Sequence, residues 1–168
     1  MNRRGFIQKT GALIPGMLLT RILFSQQQTK KPPPIESEIV KEYVQVAHND
    51  LNRVKELLEK HPLLLNAAWD WGGGDFETAL EAAGHMGLKN TANYLLDKGA
   101  RANIFVLTML GKTEIVKAIL TAYPVLLNSL GPHGLTLLHH AEKGGDEASE
   151  LNEYLLSKGL KEKFIKLY

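Results

Sequence analysis

The chain has 168 residues, 44% of them hydrophobic, a length that holds one domain of ordinary size with appendages. It has no cysteine, which excludes disulfides, cysteine-ligated zinc, iron–sulfur clusters and a thiol nucleophile. The net charge of +2 is unevenly placed: residues 1–25 carry Arg3, Arg4, Lys9 and Arg21 and no acid, leaving 16 basic against 18 acidic residues in a body with no basic stripe for nucleic acid.

The first segment, "MNRRGFIQKTGALIPGMLLT", pairs two arginines with Gly5-Phe6-Ile7 and then a mildly apolar run. That run is too short and too polar for a membrane span. Asn2-Arg3-Arg4-Gly5-Phe6-Ile7 resembles a twin-arginine export signal, with Lys9 where such signals often carry lysine. The resemblance implies a signal or anchor over 1–25 and a periplasmic protein, tethered to the membrane if the signal is uncleaved. Residues 26–37, polar and proline-rich, read as an extended linker.

The body spans 38–168. Ile39, Val40, Tyr43, Val44 and Ala47 make one helical face, and Leu51, Val54, Leu57 and Leu58 make a second, which Asp50 or Asn49 would cap and His61-Pro62 would end. Between this helix pair and the next lies the segment around "WDWGGGDF". Its glycines suit a tight turn at positive φ, and Asp75 suits the cap of a helix starting near Phe76. A phosphate cradle is disfavoured, because Gly74 is followed by Asp75 and Glu77 rather than lysine.

Residues 80–103, "LEAAGHMGLKNTANYLLDKGARAN", resemble the ankyrin repeat through Thr78, Leu80, Ala82, Ala83, Gly87, Leu95, Leu96, Gly99, Ala100 and Asn103. A second match begins at "GLTLLHHAEKGG", with Thr136, Leu138, His139, Ala141 and Gly144, followed by Leu155, Leu156 and Gly159 after an insertion near 146–149. Two degenerate copies align as "LLEKHPLLLN" and "ILTAYPVLLN". Leu58 to Leu120 is 62 residues and Leu96 to Leu156 is 60, the mark of a duplicated two-repeat unit. The resemblance implies an all-α ankyrin-type solenoid of about four helix-turn-helix repeats, near 38–70, 75–103, 104–130 and 134–168. The first and third are degenerate. Each hairpin would bury its apolar side against the next. His139 falls at the motif histidine, which implies a structural bond to the neighbouring turn. Phe164, Ile165 and Leu167 would turn inward as a C-terminal cap.

Two inter-repeat loops remain long, 66–75 and 128–134, and are expected on one side of the stack with a gap between them. The expected partner-binding residues are Trp69, Asp70, Trp71, Asp75, Phe76, His85, Pro132 and His133, with the tryptophans as an exposed aromatic pair. His85 is expected to face the second junction. The six histidines show no ligand spacing, and no metal site or cofactor is read from them. The reading favours a monomeric, non-enzymatic module that binds a protein partner through the inter-repeat loops and the concave inner-helix face. A twin-arginine cargo role suggests an exported oxidoreductase as that partner. The rival reading is a small-ligand or hydrolytic site at 69–75 with His85 and His133, which requires the two loops to close together.

Overall fold

The computed structural model describes residues 31–168; residues 1–25, expected as a signal or anchor, and residues 26–30 of the expected linker lie outside the described residues. Residues 31–36 carry no helix or strand. The body that follows is mostly helical: α1 Ser37–Val46, α2 Leu51–Lys60, α3 Ala79–Met86, α4 Lys89–Asp97, α5 Ile104–Met109, α6 Thr113–Ala122, α7 Leu137–Gly144 and α8 Ser149–Ser157.

Consecutive helices pack as four pairs, α1 with α2, α3 with α4, α5 with α6 and α7 with α8. The first helix of each pair also packs on its neighbours, α1 on α3, α3 on α5 and α5 on α7. Small residues permit this. Ala82, Ala83 and Gly84 are buried, and a Cβ on Gly84 would sit 2.9 Å from Val106 Cγ2. The core forms two apolar clusters. Tyr43, Val54, Leu64, Leu95 and Met109 belong to the first, and Phe105, Val116, Leu137, Leu151 and Leu155 to the second. Helix α5 joins them, giving Val106 to one and Phe105 to the other.

The caps follow local chemistry. Asp50 Oδ1 accepts from Arg53 N at 3.0 Å, so Asp50 opens α2. After His61, proline turns the chain into a 3-10 segment, Pro62–Asn66, and the same device recurs at Pro124–Asn128. Asn66 Oδ1 accepts from Arg101 N at 2.9 Å and so ties the first turn to the end of the second pair. Gly87, Gly99 and Gly159 take left-handed φ values of 75°, 91° and 96° at their helix ends. The expected insertion is a 3-10 turn, Gly145–Ala148, following Gly144.

Three local expectations are corrected. The body is not wholly α. A two-stranded antiparallel hairpin, β1 Ala68–Asp70 and β2 Phe76–Thr78, pairs Ala68 with Thr78, Trp69 with Glu77 and Asp70 with Phe76. Tryptophan, phenylalanine and threonine favour this extended pleat, and the glycines close it. No helix begins near Phe76. Helix α3 starts at Ala79, where Thr78 accepts from Glu81 N and the Glu81 carboxylate returns a bond to Thr78 N, a capping box. The third correction is at the C-terminus. Phe164, Ile165 and Leu167 are exposed, not turned inward. Their backbone is what docks: Thr136 N donates to Lys163 O at 3.0 Å, Ile165 N donates to Gly134 O at 2.9 Å, and Thr136 Oγ1 donates to Glu162 O. The Thr136 hydroxyl is thereby taken from capping α7.

Candidate functional site

The hairpin decides where the chemistry lies. Side chains alternate across a strand, so Phe76 points outward with 60% exposure while Glu77, its neighbour, is fully buried. A buried carboxylate needs partners. Trp71 Nε1–H donates to Glu77 Oε2 at 2.7 Å. Three histidines close around the same carboxylate. His85 Nε2 is 2.8 Å from Glu77 Oε1, His133 Nε2 is 3.5 Å from Oε1, and His48 Nε2 is 3.4 Å from Oε2. His48 Nε2 and His85 Nε2 are 3.2 Å apart. Glu77 Oε1 itself accepts no hydrogen bond of proper geometry.

Each residue arrives from a different part of the chain. His48 sits in the turn after α1, Glu77 on β2, His85 in the last turn of α3, and His133 in the 3-10 turn Pro132–Gly134. The outer nitrogens are held. His48 Nδ1 lies 3.1 Å from the carbonyl oxygen of Val44, one turn back. His133 Nδ1 lies 2.7 Å from Asp75 Oδ2, and His133 N donates to Asp75 Oδ1 at 2.8 Å. With Nδ1 turned to these acceptors, the Nε2 atom of both rings faces Glu77. His133 pays for its position with a left-handed φ of 61°, the one such non-glycine among the described residues.

The expected site residues divide. Trp71, Asp75, His85 and His133 come together. Trp69 and Trp71 are not an exposed pair: both are half-buried and pack against the first core cluster, with Lys41 Nζ 5.5 Å from the centre of the Trp69 ring. Their apolar rings cover surface that the first helix pair cannot bury alone. Asp70 is structural, its Oδ1 accepting from Gly72 N at 2.9 Å and Gly74 N at 3.1 Å to close the turn. Gly72, Gly73 and Gly74 all have positive φ, as the turn requires. Asp75 caps nothing; it reaches 58 residues along the chain to His133. That bond removes the expected gap between the two loops. Pro132 is buried beside it. His85 faces this cluster, not the second junction, because the last turn of α3 points it back toward the hairpin. His139 Nε2 lies 2.9 Å from His85 O, so its bond goes to the last turn of α3 rather than to a neighbouring inter-repeat turn.

Sequence reasoning missed two residues at the centre. Glu77 could be found only through hairpin alternation, and His48 lies in the turn after α1 with no motif of its own. Chemically, the centre gathers three imidazoles and one carboxylate whose facing atoms all lie within 4.8 Å of one another. The chain matches no protein-family model, and no curated protein or solved structure matches it.

Proposed function

We propose that the chain is an exported, monomeric, non-enzymatic binding module of ankyrin type, which engages a protein partner through its joined inter-repeat loops. The reading rests on the Thr78, Gly87, Gly99, Gly159 and Thr136 pattern, together with the stacking of the first helices of the four pairs. One observation carries the partner edge. The Asp75–His133 bond joins two loops into a single platform, from which Phe76 projects at 60% exposure. A large aromatic held outward on an ordered hairpin is a contact anchor with little ordering entropy left to lose. An exported oxidoreductase is the partner class that the twin-arginine-like leader suggests.

A photoreactive residue at position 76 of the full chain tests the reading in the native envelope fraction. The expected result is one discrete crosslinked species, absent when the same probe replaces exposed Leu156 on α8. Equal crosslinking from both positions would defeat it. Replacing Arg3 and Arg4 by lysine tests the export step separately, with retention of the chain in the cytoplasm as the expected outcome.

A further inference from the structure

We propose that His48, His85, His133 and Glu77 bind a single divalent transition-metal ion, with zinc as the fitting metal. The site is independent of the binding-module reading and would stand if that reading fell.

The first argument is the donor count. His48 and His133 both turn Nδ1 to an acceptor and Nε2 toward the Glu77 carboxylate, where His85 Nε2 joins them. Three imidazole nitrogens converging on one carboxylate make sense around a cation. Glu77 Oε1 has no hydrogen-bond donor of proper geometry, although it is fully buried and lies among the three rings. An orphaned carboxylate oxygen at the centre of three imidazoles is the ligand that a metal would complete.

The second argument is size. Zinc bonds to histidine nitrogen and carboxylate oxygen at about 2.0–2.1 Å, which in a tetrahedron sets the ligand atoms about 3.3 Å apart. The separations of His85 and His133 Nε2 from Glu77 Oε1, 2.8 and 3.5 Å, and of His48 Nε2 from His85 Nε2, 3.2 Å, bracket that edge, and the whole set lies within 4.8 Å. Three imidazoles and one carboxylate suit zinc better than calcium or magnesium, which take oxygen ligands.

The third argument is the surroundings. Metal-binding histidines donate their other nitrogen to a carboxylate or a backbone carbonyl. His133 does the first, through Asp75, and His48 the second, through Val44. Trp71 occupies Glu77 Oε2 and leaves Oε1 as the ligand atom. Charge also balances: a divalent ion neutralises Glu77 and Asp75 together. The partly exposed rings of His48 and His133, 23% and 34%, give the ion a way in. Four protein ligands describe a closed, structural centre. It would brace the first pair, the hairpin, the second pair and the late loop into one unit, where a solenoid otherwise relies on neighbour contacts alone.

The test uses the purified full chain, stripped with a chelator and titrated with zinc alone. Binding of one zinc per chain and a higher unfolding temperature is expected, since an ion that binds only the folded state stabilises it. Cobalt(II) in its place should give the intense visible absorption of a tetrahedral centre. Asp75→Ala should weaken zinc roughly 10- to 100-fold, as loss of an outer partner does, and His133→Ala, which removes a ligand, should weaken it more. His61→Ala, outside the cluster, should leave affinity unchanged. Glu77→Gln keeps an acceptor for Trp71 but removes the ligand charge, and should also lose zinc. The proposal is overturned if the stripped chain takes up no zinc, if zinc leaves the unfolding temperature unmoved, or if His133→Ala binds zinc as tightly as the parent chain.

Discussion

Trp71 Nε1 donates to Glu77 Oε2 across 2.7 Å, so a tryptophan in the glycine-rich loop holds the one fully buried carboxylate among the described residues. The indole is thereby a structural donor first and a surface aromatic second. This relationship makes the hairpin inseparable from the histidine cluster behind it.

Trp71→Phe keeps the ring and deletes the donor. It leaves Glu77 Oε2 short of its hydrogen bond in a dry site, a cost of about 1–3 kcal/mol. Urea unfolding of the chelator-treated chain measures it. A midpoint equal to that of the parent would show that the bond contributes nothing.

Asp75→Ala cuts both bonds to His133. His133 then loses the two bonds to Asp75 that support its left-handed conformation. The expected loss is about 1–3 kcal/mol, and the amide of His133 should exchange faster with solvent. Unchanged exchange at 133 would mean that the two loops are held together by something else.

His140 supplies a pH dependence. Its ring is buried on α7 with Nδ1 2.8 Å from Thr136 O, and burial pushes the imidazole down to about 4. The unfolded ring takes up its proton near 6.5, before the folded ring does. The folded state is therefore at full strength above pH 6.5 and loses stability as the pH falls toward 4, by about 3 kcal/mol over the whole window. Unfolding free energies at pH 7 and pH 5, compared with His140→Leu, isolate the effect. The leucine variant should lose less between the two values; equal losses would assign the acid sensitivity to other groups.

Two glycines with the same handedness should differ in tolerance. Gly99 has φ 91° with nothing within 4 Å of an added Cβ, so Gly99→Ala should cost only the left-handed penalty, about 1–2 kcal/mol. Gly111 has φ 63°, and its added Cβ would clash with the backbone carbonyl oxygen of Glu147. Gly111→Ala adds overpacking to the same penalty, about 2–5 kcal/mol in all. Thermal unfolding of the two variants side by side decides it, and similar shifts would show that the turn Gly145–Ala148 gives way freely.

Much of the frame was legible along the chain, because helix periodicity, caps and proline stops are local. Tyr43 and Val44 on one face, Asp50 at a helix start, His61-Pro62 at a helix end and Gly99 at another all lie where short-range chemistry puts them. The hairpin was missed for a related reason. "AAWDWGGGDFET" carries both strand-forming aromatics and a plausible helix start at Asp75, and only pairing between its two arms chooses the pleat. Once chosen, the pleat alone buries Glu77 and exposes Phe76. The C-terminal Phe164 and Ile165 looked like core by type, yet backbone pairing with residues 134–136 satisfied that segment and left their side chains outside.

The sequence by itself determined that amphipathic helices would form and pair, since each has an apolar stripe it cannot leave in water. Only the tertiary structure decided that His48, Glu77, His85 and His133, spread over 86 positions of the chain, meet at one point. No spacing rule connects them, because each is delivered by a different element whose position is set by packing, and convergence through packing leaves no period in the sequence.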